Sequence, residues 1–177
     1  MLLSLAAAPS GVDAQAPDQN ESANEHARDG FWFNGGLGYG SLGCQDCSDR
    51  EGGLSGTLSF GGTVSQKVLL GGSTFGWTKS EDGVRLTTSA ATATIRFYPS
   101  AESGFYLLGG LGIGVVNLDV SGFGDASETG GAAALGLGVD VRIGDNVSLT
   151  PYLSGVGISF EDGDANFGQL GLSITTH

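Results

Sequence analysis

Histidine is almost missing from this chain, with two among 177 residues, and cysteine is equally scarce at two. Acyl transfer and hydrolysis need a nucleophile and a base within reach of one another. His26 and His177 flank the patterned region, and no G-x-S-x-G elbow is present. The two cysteines, Cys44 and Cys47 in LGCQDCS, are too few for a zinc site without further ligands, and no histidine lies nearby. A c-type haem site would need histidine after the second cysteine, where Ser48 stands. Basic residues are also sparse, seven Lys and Arg against nineteen Asp and Glu, for a net charge of −12. That balance repels polyanions, so nucleic acid is not an expected partner. Finally, there is no apolar run of 18 residues, which excludes a membrane-spanning helix in the mature part.

What is present is alternation. From Ala133 to Arg142 one face holds Ala133, Leu135, Leu137, Val139 and Val141, and the other Ala134, Gly136, Gly138, Asp140 and Arg142. A period of two means β-strand. Leu170, Leu172 and Ile174 oppose Gln169, Gly171, Ser173 and Thr175 in the same way, as Phe31, Phe33, Leu37 and Tyr39 oppose Trp32, Asn34, Gly36 and Gly38. Eight strands are predicted, over 31–40, 54–63, 67–78, 84–98, 105–119, 129–142, 147–159 and 167–176. Their lengths suit a bilayer, which a tilted strand crosses in ~9–11 residues. The third is ambiguous, because Val68 and Leu70 compete with Leu69, Phe75 and Trp77 for the outer face.

The connections alternate too. Short turns are expected at 64–66, 99–104 and 144–146, and longer loops at 41–53, 79–83, 120–128 and 160–166. Short turns on one rim and long loops on the other is the pattern of outer-membrane barrels, with the long loops outside the cell. The predicted class is all-β: an eight-stranded antiparallel up-and-down transmembrane β-barrel over residues 31–177.

A soluble lipocalin-like barrel would alternate as well, with its apolar face turned inward. Its wet face should then be rich in charge, roughly a quarter to a third. Here the second face is Gly, Ser, Thr and Ala. Residues that small suit the narrow lumen of an eight-stranded barrel, which leaves the aliphatic face for lipid. Closure pairs every backbone group, as hydrocarbon requires. Phe31, Phe33, Tyr39, Trp77, Phe97, Tyr98, Phe105, Tyr106, Phe160 and Phe167 fall near strand ends, where interfacial girdles are expected.

Upstream, Met1 to Ala8 is apolar and small, followed by Pro9, Ser10 and Gly11 and a cleavage site expected at Val12, Asp13, Ala14. Residues 1–14 read as a partial signal peptide and 15–29 as a polar, flexible lead-in.

The runs GFWFNGGLGYG, TATIRFYPS, GFYLLGGLGIG and NVSLTPYL resemble the small outer-membrane β-barrels of OmpA, OmpX and Opa type. That resemblance implies a bacterial outer-membrane location, outer-membrane lipid and the barrel-assembly machinery as partners, and roles in adhesion, surface protection or envelope integrity. Such barrels usually end in an aromatic residue, whereas this chain ends Ile174, Thr175, Thr176, His177.

Several residues bear chemistry. Asp46, Asp49, Glu51, Glu81, Asp82, Asp119, Asp125, Glu128, Glu161, Asp162 and Asp164 make the long-loop rim acidic, against Arg50, Lys79 and Arg85. Asp162, Asp164 and Asn166 echo a calcium loop, but Phe167 and Ser173 replace its glycine and bidentate glutamate. In an oxidising location Cys44 and Cys47 are expected to form a local disulfide. The glycines at 36, 38, 40 and 110, 112, 114 precede no helix, so they do not form a phosphate cradle. Asn34, Arg96, Asp140, Arg142 and Gln169 share the inward parity, and buried charges must pair. A lumen cluster of Arg96, Asp140 and Arg142 that crosslinks strands is therefore predicted. No cofactor is expected. The functional expectation is a monomeric, non-enzymatic envelope protein with an unknown extracellular partner. A narrow or gated pore and a soluble barrel with an apolar ligand are the alternatives.

Overall fold

The computed structural model describes residues 28–44, 49–81, 83–120, 124–161 and 163–177. The expected signal peptide over 1–14 and residues 15–27 of the lead-in lie outside the described residues. Eight strands follow: β1 (Phe31–Cys44), β2 (Glu51–Ser65), β3 (Val68–Glu81), β4 (Val84–Phe97), β5 (Phe105–Val120), β6 (Gly124–Val139), β7 (Val147–Ser159) and β8 (Asp164–Thr176). β6 resumes as Val141–Arg142 beyond Asp140 without losing register, since Gly138 faces Tyr152 and Val141 faces Leu149.

Every neighbour is antiparallel, and β1 pairs with both β2 and β8, which closes the sheet. Leu37, for example, faces Gly56 on one side and Leu172 on the other. Closure removes the edges that hydrocarbon would not tolerate. One irregularity falls between Thr63 and Ser65, at the turn into β3.

The strands are longer than predicted, mainly toward the long-loop rim. Much of 41–53, 79–83, 120–128 and 160–166 continues the hairpins as paired strand: Leu42 faces Glu51, and Glu81 faces Val84. Backbone pairing persists past the bilayer, where charged side chains are freely solvated. β5 and β6 rise furthest, pairing up to Val120 and Gly124, whereas β6 meets β7 only from Gly131 opposite Ser159 downward.

The parity reading fixes the faces. Leu37, Leu58, Leu111, Ile113, Leu135, Leu153, Leu170 and Leu172 are exposed on the outside. Val68 and Leu70 turn outward on β3 while Leu69, Phe75 and Trp77 turn inward, which settles the ambiguous strand. The aromatic girdle is smaller than expected. Phe31, Phe33, Tyr39 and Phe97 are exposed, but Trp77, Tyr98, Tyr106 and Phe167 are buried in the lumen. Their parity matches the inward residues Ser73, Arg96, Leu108 and Gln169, and strand parity leaves a side chain no choice of face.

Candidate functional site: the sealed lumen and the acidic rim

The lumen divides in two. Toward the hairpin rim it is a small hydrophobic core of Leu42, Phe75, Trp77, Ala90, Ala132, Val156, Ile158 and Phe167. Trp77 adds one polar tie, its indole N–H donating to the Gly40 carbonyl at 3.1 Å. Toward the turn rim the lumen is polar and aromatic. Tyr98 and Tyr106 pack with ring centroids 5.5 Å apart, and the Arg96 guanidinium lies over Trp32 at 4.4 Å and Tyr106 at 4.8 Å. Cation–π contact of this kind gains strength where water is excluded.

Asp140 is the hub of the lower half. It accepts hydrogen bonds from the Tyr98 hydroxyl at 2.7 Å and the Thr150 hydroxyl at 2.6 Å, and His177 Nε2 stands 4.0 Å away. Thr150 meets Thr175 at 2.9 Å, and Asn34 donates to Ser173 and Thr175 at 2.8 Å each. These bonds join β7, β8 and β1 around the closing seam. Gln169 donates to Ser154 at 3.0 Å, and Ser73 joins Ser59 at 2.8 Å and Thr94 at 3.0 Å.

Four of the five residues singled out for the lumen, Asn34, Arg96, Asp140 and Gln169, are thus buried inside. Arg142 is half-buried at the mouth and donates to the Asp145 carbonyl in the β6–β7 turn. Cys44 ends β1, and Cys47 lies outside the described residues. Sequence reasoning missed the share of Tyr98 and Thr150 in holding Asp140, and it missed Arg28. That last residue is fully buried, and it spans the turn-rim mouth. Its guanidinium donates to the carbonyls of Gln66, Ala101 and Ser103 at 3.3, 3.1 and 2.7 Å, and its ring partner is Tyr98.

Between the two halves one cavity of about 20 Å³ is lined by Asn34, Ser59, Arg96, Tyr106, Tyr152 and Ser154, among others. That is room for roughly one water-sized guest.

At the hairpin rim the basic residues are engaged. Arg50 donates to the Ser41 hydroxyl and carbonyl at 3.0 and 2.6 Å and to Asn166 at 2.7 Å. Lys79 pairs with Glu51 at 2.5 Å and Glu81 at 2.6 Å, and Arg85 donates to Ser80 at 3.1 Å. Asp49, Asp119, Glu128 and Glu161 are exposed beyond these pairs. Among the described residues no group of three or more His, Cys, Asp or Glu is placed to hold a metal.

An edge-free barrel of eight strands, belted outside by leucine and isoleucine and packed within, is a small transmembrane barrel of the bacterial outer membrane. The chain belongs to the outer membrane protein beta-barrel domain family, which matches residues 3–175. Its fold is shared with Neisserial surface protein A (NspA), at 16% identity and a TM-score of 0.65, over 85% of this chain and 98% of that one. Ail, the attachment invasion locus protein of Yersinia pestis, aligns at 14% identity and 0.61, over 84% and 99%. The N-terminal β-barrel domain of Pseudomonas aeruginosa OprF aligns at 16% and 0.52, over 85% and 98%. No curated protein sequence matches the chain.

Proposed function

We propose that this is a non-enzymatic envelope protein, in which the barrel anchors the chain and the acidic hairpins act outward, in surface interaction or envelope integrity. The sealed lumen is the observation that carries this reading. Among the described residues, an apolar core above, an Asp140 hub below and Arg28 across the mouth fill the lumen in successive layers. The pore alternative would require these layers to rearrange together.

The rim supports the outward role. Acidic side chains outnumber cations on this rim and Lys79 is itself paired with Glu51 and Glu81, so the exposed carboxylates dominate the field met by an approaching molecule. A basic partner is favoured and a polyanion is not. The soluble-barrel alternative places the apolar side chains inward, and here they face out.

Two measurements test the proposal. Refolded protein in planar bilayers is expected to give no discrete conductance steps; reproducible single-channel steps would sink the anchor reading. Cells carrying a β5–β6 hairpin shortened to a tight turn are expected to lose surface adhesion or envelope resistance while the barrel still assembles. Unchanged behaviour in both assays would remove the hairpins from the function.

A further inference from the structure

We propose that the lumen cavity is a binding site for one small monovalent anion, of chloride size, held by Arg96 and Tyr152. Arg96 is 2% exposed, and among the described residues no carboxylate lies within ion-pair distance of it. Two ring faces hold its plane, but its Nε and Nη1 have no hydrogen-bond partner. The Tyr152 hydroxyl, on the same cavity, is also unpartnered. Asp140 gives its oxygens to Tyr98 and Thr150 and forms no ion pair with Arg96. Of the other polar linings, Asn34 bonds Ser173 and Thr175, Ser59 bonds Ser73, and Ser154 bonds Gln169, while Thr57 and Tyr106 add two more hydroxyls to the wall.

The cavity wall therefore combines one buried positive charge with hydroxyls that can turn their protons toward a guest. A buried charge without a contact counter-charge is costly. A guest that only accepts hydrogen bonds and carries one negative charge answers both deficits, whereas water answers only the first. The space suits one monatomic ion and is too small for sulfate or a carboxylic acid.

The test is to refold the full chain from urea with bromide as the only halide, crystallise it, and record anomalous diffraction at the bromine edge. An anomalous peak within hydrogen-bond distance of Arg96 and Tyr152 is expected. Ordered density there without anomalous signal identifies water and overturns the proposal. In solution, the unfolding equilibrium constant should fall about tenfold for each tenfold rise in chloride above its Kd, at ionic strength held constant with sulfate. Arg96→Met should abolish that dependence and Tyr152→Phe should weaken it. If Arg96→Met does not refold, Tyr152→Phe decides alone, and an unaltered chloride dependence in it overturns the proposal.

Discussion

The guanidinium carbon of Arg28 stands 3.6 Å from the centre of the Tyr98 ring, and the hydroxyl of that ring is hydrogen-bonded to Asp140 at 2.7 Å. A residue just ahead of the first strand is thereby joined to the end of the sixth. Arg28→Ala should remove three carbonyl bonds and the ring contact together, at a cost of roughly 2–4 kcal/mol. Urea unfolding in lipid vesicles measures it. A loss within experimental error would mean that the strap contributes no stability.

The Asp140 hub predicts coupling. Tyr98→Phe and Thr150→Val each remove one donor to the same carboxylate, at about 1–3 kcal/mol apiece. Because they share a partner, the double variant should depart from additivity by more than ~0.5 kcal/mol. A double-mutant cycle that sums cleanly would separate the two bonds.

The outer face predicts a depth-dependent penalty. Leu135 is 73% exposed and lies midway along the stretch of β6, Gly131 to Gly138, that pairs with β7. Leu135→Arg should destabilise the barrel in lipid by roughly 2–4 kcal/mol, the range for a cation near the bilayer midplane. Thr74→Arg, on the outer face of β3, should do likewise. No loss at either site would contradict the placement of these faces in hydrocarbon.

Glycine has a packing role at one point in particular. A Cβ at Gly138 would stand 2.5 Å from the Tyr106 hydroxyl and 2.6 Å from the ring carbon that bears it. Gly138→Ala should therefore cost about 1–3 kcal/mol through overpacking. Tyr106→Leu in the same chain should recover part of the loss, measured by the same unfolding assay.

The expected Cys44–Cys47 disulfide predicts no free thiol in denatured, unreduced protein from an oxidising compartment. Two reactive thiols by titration would show that the pair is reduced.

Most of the architecture was legible because a period of two survives any exchange among Leu, Ile and Val. The inward positions of Asn34, Arg96, Asp140 and Gln169 followed from it directly. Trp77, Tyr98, Tyr106 and Phe167 lie in the lumen and not in an interfacial girdle, because the parity of their strand neighbours outweighs the preference of aromatic rings for strand ends. Tyr98 lies two residues from Arg96, so both must share a face. Arg28 gave no such signal. It precedes the first strand, and only the folded chain brings Gln66, Ala101 and Ser103 around it. The strand extensions were hidden for a different reason: beyond the bilayer the outer face no longer needs to be apolar, so alternation fades while backbone pairing continues.

The closing seam has a kinetic consequence. Asn34 on β1 reaches Ser173 and Thr175 on β8 across 139 and 141 residues of sequence. No neighbouring hairpin can form those bonds ahead of time, and contacts this remote carry the largest loop-closure cost in the chain. Assembly should therefore be slow and pass through a curled sheet that is still open between its first and last strands. A probe across Asn34 and Ser173 would change last, after the β3–β4 and β5–β6 hairpins are already paired.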